Sequence, residues 1–205
     1  MNAPVQALMI FNQLPSRSLH PSRIAAAVQA ALLRLQDAPA ALNAWHRHWS
    51  QDLLREHDLT DRPVAAVPRP ELSLALLSSP ELCLLAQRIG TVLCAPRLRA
   101  TIAGQEIRTI NETLSPDLLQ LARVDAATIH PGLPDSRRWD LARTLESIDV
   151  LGRGVLLAAL RPAGPALSLR AELKLPDSPV LDAPLAAADA LALAMRLAPR
   201  ALAGS

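Results

Sequence analysis

The sequence is poor in the residues that favour β-sheets and strained catalytic loops. It has no tyrosine, one phenylalanine, three tryptophans and seven glycines among 205 residues. Strands favour aromatic and β-branched residues, whereas the leucine and alanine that are abundant here favour helices. Few glycines leave few positions for unusual backbone conformations. We therefore predict an all-α fold, a compact and irregular bundle of several helices.

Cysteines and long apolar runs are also scarce. Cys83 and Cys94 are the only cysteines, and on one straight helix they would lie about 16 Å apart, too far for a disulfide. We expect both thiols to be reduced, as in a reducing compartment. No stretch reaches the roughly 20 apolar residues of a membrane span, and the first residues lack the basic start of a secretion signal. These features predict a soluble, cytoplasmic protein without direct membrane insertion.

No charge of one sign predominates. The chain has 21 basic and 19 acidic residues, a net charge of +2, which does not suit a protein that must neutralise many phosphates. We therefore predict no nucleic-acid partner. Every basic residue except Lys174 is arginine. A compositional bias of the genome explains this usage, and the alternative is that guanidinium groups pair with carboxylates of a partner.

Eighteen prolines divide the chain into helix-sized pieces, because proline is tolerated in the first turn of a helix and breaks its interior. They predict an irregular N-terminal arm over residues 1–21. The remainder, 22–205, is predicted to be a single helical domain with a proline-rich loop at 58–70.

Capping residues mark several helix starts. Ser22 is expected to cap the first helix after the arm. The sequences Ser-Pro-Glu at 79–81 and Ser-Pro-Asp at 115–117 combine a capping hydroxyl, a proline in the first turn and an acid near the positive end of the helix dipole. Pro96 is expected to end the helix that starts near residue 79. An apolar stripe at helical spacing on that helix is expected in the core: Leu82, Leu85, Ile89 and Leu93.

Two tryptophans lie one turn apart on a helix predicted from about residue 39 to 57. Trp45 and Trp49 share one face of it. We interpret them as core residues, because large aromatic side chains dominate burial. The alternative is an exposed anchor in a protein interface.

One segment has the period of a strand. From Leu167 to Leu175, apolar and polar residues alternate. These residues are good helix formers, however, and no second strand is evident to pair with them. We favour a helix, and a short extended segment over 167–175 is the alternative.

The sequence carries no strong catalytic, metal or cofactor motif. His46 and His48 are two residues apart, so on a helix they point about 200° from each other around the axis and cannot share a metal ion. Gly152-Arg153-Gly154 lacks the further glycine and lysine of a phosphate-binding loop. We therefore predict a protein that is not an enzyme and needs no cofactor. The alternative is a small helical enzyme that uses Cys83 or the His46–His48 region.

Arginines are concentrated in two places. One explanation is ordinary solvated helix faces, and the other is docking onto an acidic surface of a partner. On the second explanation, a change of Arg97 to Glu is expected to weaken binding and leave the fold intact. The candidate partner-binding residues are Arg97, Arg99, Arg108, Arg137 and Arg138.

Several segments together resemble the YscK/SctK family of type III secretion proteins. The first are FNQLP at 11–15 and LHPS at 19–22. The middle region of the family is similar to LAQRIG at 85–90, APRLR at 95–99 and GQEIR at 104–108. The arginine- and tryptophan-containing segment 137–141 and LKLP at 173–176 complete the resemblance.

The resemblance implies a function in the sorting platform, the assembly beneath the inner-membrane ring that selects and loads secretion substrates. It implies a non-enzymatic cytoplasmic adaptor at the base of the secretion apparatus. The implied partners are the C-ring-like pod protein SctQ and the cytoplasmic forkhead-associated-like domain of the inner-ring protein SctD. The alternative is a type III secretion chaperone or regulator that binds exported helical segments in a groove.

Overall fold

The computed structural model describes residues 3–66, 69–179 and 182–199. Every regular element in these ranges is helical, and no strand occurs in them. The prediction of an all-α, multi-helix fold is therefore confirmed. The chain divides into two compact units. The first unit contains Met1–Leu82 and Ala163–Ser178, and the second contains Cys83–Pro162 and Pro179–Ser205. This division differs from the predicted arm followed by one domain over 22–205.

The α-helices of the described ranges occur in the following order along the chain. They are α1 (Ala3–Gln13), α2 (Ala26–Arg34), α3 (Pro39–Glu56), α4 (Pro70–Ala75), α5 (Ser79–Ala100), α6 (Gly104–Thr113), α7 (Pro116–Gln120), α8 (Ala126–Ile129), α9 (Leu141–Leu160), α10 (Pro165–Glu172) and α11 (Ala187–Leu197). A π-helical turn, Leu121–Asp125, joins α7 to α8. Short 3₁₀ turns occur at Pro15–Arg17, Pro21–Arg23, Pro134–Arg138 and Arg161–Ala163.

Prolines and caps place most helix starts. Proline lies in the first turn of α3, α4, α7 and α10. Ser115 caps α7 as predicted, because its hydroxyl accepts from the backbone N–H of Leu118. At α5 the cap lies one residue earlier than predicted. The Glu81 carboxylate accepts from the backbone N–H of Ser78 at 2.7 Å, and the backbone N–H of Glu81 donates to the Ser78 hydroxyl at 3.4 Å, which together form a capping box.

The prediction of an irregular arm is wrong for residues 3–13, which form α1. Proline at position 4 lies in the first turn, where it does not interrupt the helix. Phe11 is buried in the first unit, with 3% of its surface exposed. The amide of Asn12 accepts from the N–H of Val64 at 2.8 Å and donates to its carbonyl at 2.9 Å. The segment is therefore an integral part of the first unit.

Ser22 does not cap a helix, contrary to the prediction. The residue at the cap position of α2 is Ala25, with no side-chain hydrogen bond. The hydroxyl of Ser22 instead accepts from the backbone N–H of Asp177 at 2.9 Å. Pro96 does not end a helix either, since α5 continues through it to Ala100.

The predicted loop at 58–70 is confirmed for residues 58–66 and 69, whereas Pro70 starts α4 and residues 67 and 68 lie outside the described part. A buried arginine of α10 stabilises this loop. Arg170 is 2% exposed and donates to the carbonyls of Leu59, Arg62 and Ala166 at 3.0, 3.0 and 2.9 Å. Burial lowers the pKa of Arg170, but a guanidinium keeps its charge in proteins.

The alternating segment is helical, so the extended alternative for 167–175 is wrong. Residues Pro165–Glu172 form α10, and its backbone continues into a turn through Leu175. Leu167 and Ala171, which are four residues apart, are buried. The alternation of apolar and polar residues therefore does not determine the structure of this segment. Its side chains favour a helix, and the helix provides hydrogen-bond partners for the backbone.

In the second unit, α5 and α9 touch backbone to backbone. A Cβ atom added at Gly90 would lie 1.8 Å from the carbonyl oxygen of Ile148. One added at Gly152 would lie 1.8 Å from the carbonyl oxygen of Ala86. The two glycines are therefore required by this crossing. The predicted core positions of α5 are confirmed, since all four are 0–1% exposed: Leu82, Leu85, Ile89 and Leu93.

Candidate partner-binding surfaces

The α2 and α3 helices of the first unit are largely outside the core. No residue of α2 is fully buried, and on α3 only Ser50 and Leu54 are. Trp45 is 38% exposed and Trp49 is half-buried. The interpretation of these tryptophans as core residues is therefore wrong.

Both tryptophans line an open apolar cleft of about 200 Å³. We call it the tryptophan cleft, and its lining is Val28, Trp45, His48, Trp49 and Asp52. Arg55 and His48 approach the Asp52 carboxylate to 3.0 and 3.6 Å at this edge of α3. The cleft thus combines apolar walls with a charged rim, as interface anchors commonly do.

A buried polar network decides which face of α3 points inward. The Ser16 hydroxyl lies 2.9 Å from Nδ1 of His46 and 2.8 Å from the hydroxyl of Ser50. The backbone N–H of Ser16 also donates to the Ser50 hydroxyl. Burial, with a smaller contribution from Arg17, lowers the pKa of His46, which favours a neutral ring. These hydrogen bonds use the face of α3 that carries His46 and Ser50, so the tryptophan face is left outside.

The two histidines have separate partners. His46 contacts Ser16, whereas His48 lies 3.6 Å from Asp52. The prediction that they point in different directions is confirmed. The Ser16–His46 contact had no local signal in the sequence because thirty residues separate the two. Ser16 is 4% exposed, so this hydroxyl is a structural hydrogen-bonding group.

Both cysteines are reduced thiols, as predicted. Cys83 is half-buried, and Cys94 is fully buried. Burial raises the pKa of Cys94 to about 12, so this thiol is protonated at neutral pH and is a poor nucleophile. In the parts of the chain that the structure describes, no three histidine, cysteine, aspartate or glutamate side chains converge as metal ligands.

Arg97 is occupied within the second unit. Its side chain is 12% exposed and its Nη2 lies 3.0 Å from a carboxylate oxygen of Glu106. Its Nε donates to the carbonyl of Trp139 at 2.8 Å, and its Nη1 donates to the hydroxyl of Thr101 at 2.7 Å. These contacts count against the expectation that Arg97→Glu leaves the fold intact, because the change would break all three and place two carboxylates together.

The other four candidate arginines differ in exposure. Arg99 is half-buried, and its Nη1 is buried without a hydrogen-bond partner among the described residues. Arg108 on α6 is exposed, as are Arg137 and Arg138 at the end of a 3₁₀ turn. The Arg97 guanidinium links Glu106 with Trp139. It thereby connects α6, which carries Arg108, with the residue that follows Arg138. We call the exposed set of Arg108, Arg137 and Arg138 the arginine surface.

An exposed isoleucine lies in the loop between α5 and α6. Ile102 has 91% of its surface exposed and follows Arg99 by three residues. A large apolar side chain beside basic residues is a common composition for an interface anchor. The sequence carries no local sign of this exposure, because it depends on where α5 ends.

A further cavity, of about 540 Å³, lies in the first unit. Its lining includes Ile10 and Phe11 of α1, Arg17, Leu76, Glu81 at the start of α5, and Lys174 after α10. We call it the Lys174 pocket. Lys174 is 4% exposed, and no motif in the sequence predicted a role for it.

Comparison with known proteins found no matching family model, no matching curated protein and no matching solved structure. Among the described residues, no helix has both the length and the apolar character needed to cross a lipid bilayer.

Proposed function

We propose that this protein is a non-enzymatic, cytoplasmic adaptor of a type III secretion sorting platform. It would connect the pod protein SctQ with the cytoplasmic forkhead-associated-like domain of the inner-ring protein SctD. The choice of these partners rests on the resemblance of the sequence to the YscK/SctK family. The observation that carries a binding function is the tryptophan cleft, an aromatic pair left outside the core.

The tryptophan cleft has the composition of a binding hot spot. Trp is among the residues whose truncation costs most at protein interfaces, particularly where apolar neighbours exclude water. Each Å² of apolar surface that a partner covers contributes about 25 cal/mol. The charged rim around Asp52 would favour one orientation of the partner, because opposite charges suppress wrong pairings.

The second unit offers a surface of different chemistry. The arginine surface presents three guanidinium groups to solvent, and such groups form paired hydrogen bonds with carboxylates. An acidic partner would be attracted to it over a distance set by the salt concentration. An adaptor needs two distinct contact surfaces, and each unit supplies one.

The open apolar lining of the tryptophan cleft also supports the second candidate function. A secretion chaperone or regulator would hold the apolar face of an exported amphipathic helix in such a groove. The two functions differ in their partners. An adaptor binds basal-body components, whereas a chaperone binds a secreted substrate.

Co-purification separates the candidates. The protein is mixed with the pod protein, the SctD cytoplasmic domain, or a secreted substrate with its helical segment intact. The adaptor predicts complexes with the first two only, and deletion of the gene should abolish secretion while the membrane rings still assemble. Binding to the secreted substrate alone supports the chaperone. If the chain binds none of the three, both functions are wrong.

A further inference from the structure

The Lys174 pocket contains a buried ammonium group with spare hydrogen-bonding capacity. The Lys174 Nζ donates to the carbonyl of Ala75 at 2.8 Å and lies 5.4 Å from the centre of the Phe11 ring. A protonated lysine has three N–H donors, and only this one acceptor is within hydrogen-bond distance among the described residues. Among the described residues, no carboxylate lies within 4 Å of the Lys174 Nζ.

A charge buried in this way is costly unless it is paired. Burial lowers the pKa of Lys174 to about 8, while the nearby Glu81 carboxylate acts in the opposite direction. Near neutral pH the group therefore keeps most of its positive charge. A carboxylate brought to it from outside would gain a charge-assisted hydrogen bond in a site already shielded from water.

The other charges of the pocket fit the same ligand. Arg17 also lines it and is exposed, with one guanidinium nitrogen bonded to the side chain of Asn43. Its remaining donors are available for a second oxygen. The one acidic residue of the lining, Glu81, accepts two hydrogen bonds from Ser78, which lower its pKa. Its charge is thus already stabilised by the first turn of α5, where the helix dipole is positive.

The walls of the pocket are apolar. Ile10, Phe11 and Leu76 contribute to the lining, so a free inorganic anion would leave most of it unfilled. A carboxylate flanked by apolar side chains would match both the cationic groups and the apolar walls of the pocket. Ligand sites commonly combine such walls with a few polar groups that fix orientation.

We propose that the Lys174 pocket binds an aspartate or glutamate side chain carried on an apolar segment of a partner protein. The ligand carboxylate accepts hydrogen bonds from Lys174 and Arg17, and the apolar neighbours of that residue pack on α1 and on Leu76. This inference deepens the proposed adaptor function, on which it rests for the existence of a protein partner.

The test begins with a peptide library displayed on phage and selected on the whole protein. Enriched sequences should carry one acidic residue between large apolar ones. Synthetic copies with Gln or Asn in place of the acid should bind about tenfold more weakly or worse. Because the selection needs no secretion component, it can fail while co-purification with SctQ or SctD succeeds, and the reverse also holds.

Lys174 is the only lysine of the chain, so it provides a direct spectroscopic readout. In protein labelled with ¹³C-lysine, the single side-chain Cε signal should shift when a selected peptide is added. Sodium acetate at the same concentration should leave the signal in place. Peptides that leave it unmoved, or acetate that shifts it equally, would overturn the proposal.

Matched variants complete the test. Lys174→Met, which keeps the length and apolar body of the side chain, should weaken peptide binding by about tenfold or more. Arg47→Met is the control, because Arg47 is exposed on α3 outside the pocket, and it should bind as the wild type does. Equal binding by Lys174→Met, or a library without enriched acidic peptides, contradicts the proposal.

Discussion

The two units of this molecule are stabilised by different interactions. The second unit depends on close contact of helix backbones, with Gly90 and Gly152 at the crossing of α5 and α9. The first unit depends on buried polar groups: the Ser16–His46–Ser50 network and Arg170. In the first unit the hydrogen bonds of Ser16 occupy one face of α3 and leave the tryptophan cleft available for a partner. The second unit also leaves large apolar side chains exposed, Ile102 among them.

The largest expected effect is at the glycine crossing. Gly90→Ala and Gly152→Ala each place a methyl group 1.8 Å from a backbone oxygen, so α5 and α9 must separate. We expect each to lower the free energy of unfolding by about 3 kcal/mol or more, measured by urea denaturation. Gly104→Ala is the control, because nothing lies within 4 Å of its added carbon. A loss below about 1 kcal/mol at Gly152 would show that the crossing tolerates a side chain.

In the first unit the largest effect is expected at Arg170. The Arg170→Met change leaves the carbonyls of Leu59, Arg62 and Ala166 without this donor, and should cost about 2 kcal/mol or more. Because Arg170 binds carbonyl groups of the 58–66 loop, limited proteolysis within that loop should be faster in the Arg170→Met variant than in the wild type. Arg34→Met, at an exposed position of α2, should change stability by less than about 0.5 kcal/mol. Unchanged cleavage of the loop in the Arg170 variant would contradict its assigned role.

The pH dependence of stability should distinguish the first unit through Lys174. Its pKa in the folded protein is about 8, below the ordinary value of 10.5, so the unfolded chain holds the proton more tightly. The free energy of unfolding therefore rises as pH increases from about 8 to about 10.5, by at most about 3 kcal/mol.

Cys94 opposes this rise above pH 9, because its pKa is raised in the folded state. The measurement is therefore the difference in unfolding free energy between wild type and Lys174→Met across this pH range, in which the cysteine contribution cancels. A difference that stays constant with pH would show that Lys174 has an ordinary pKa.

A smaller effect is expected for the ion pair of the second unit. Arg97 is largely buried and Glu106 is about one-third exposed, so solvent screens part of their attraction. A double-mutant cycle with Arg97→Met and Glu106→Gln should give a coupling energy of about 1 kcal/mol. Arg97→Met alone should cost more than Glu106→Gln alone, because it also removes the bond to the Trp139 carbonyl. Equal costs for the two single variants would argue against the Trp139 contact.

The sequence predicted the parts of the fold that depend on local pattern. The apolar stripe of α5 appears in the core because helical spacing puts Leu85, Ile89 and Leu93 on one face whatever surrounds them. The cap of α7 was likewise readable, because Ser115 and the amide that it satisfies are three residues apart.

The predictions that failed depended on distant partners. Which face of α3 is buried is decided by Ser16, thirty residues from His46, and size alone favoured the tryptophans. Whether the Arg97 side chain is exposed depends on Glu106 and on the Trp139 carbonyl, which lies 42 residues away. Lys174 is buried in the first unit by Ala75 and Phe11, which lie about a hundred or more residues away. No periodic pattern or fixed spacing in the sequence indicates any of these contacts.

The smallest effects on stability are expected on the exposed faces of α2 and α3. Trp45 is 38% exposed, so Trp45→Ser removes a side chain that is only partly covered and should cost about 2 kcal/mol. Leu33→Ser on α2 should cost less than about 1 kcal/mol, because Leu33 is 63% exposed and does not line the cleft. A comparison of Trp45→Ser with Leu33→Ser therefore separates an effect on partner binding from an effect on folding. A loss of several kcal/mol at Trp45 would place it in the core after all.

Calorimetric titration of SctQ and of the SctD cytoplasmic domain into the purified protein tests the account most directly. We expect wild type and Leu33→Ser to bind at least one of the two with the same Kd. Trp45→Ser should bind that partner about tenfold more weakly or worse, while its circular dichroism spectrum shows that it remains folded. Equal affinity of Trp45→Ser and wild type for both partners would contradict the claim that the tryptophan cleft is a contact surface of an adaptor.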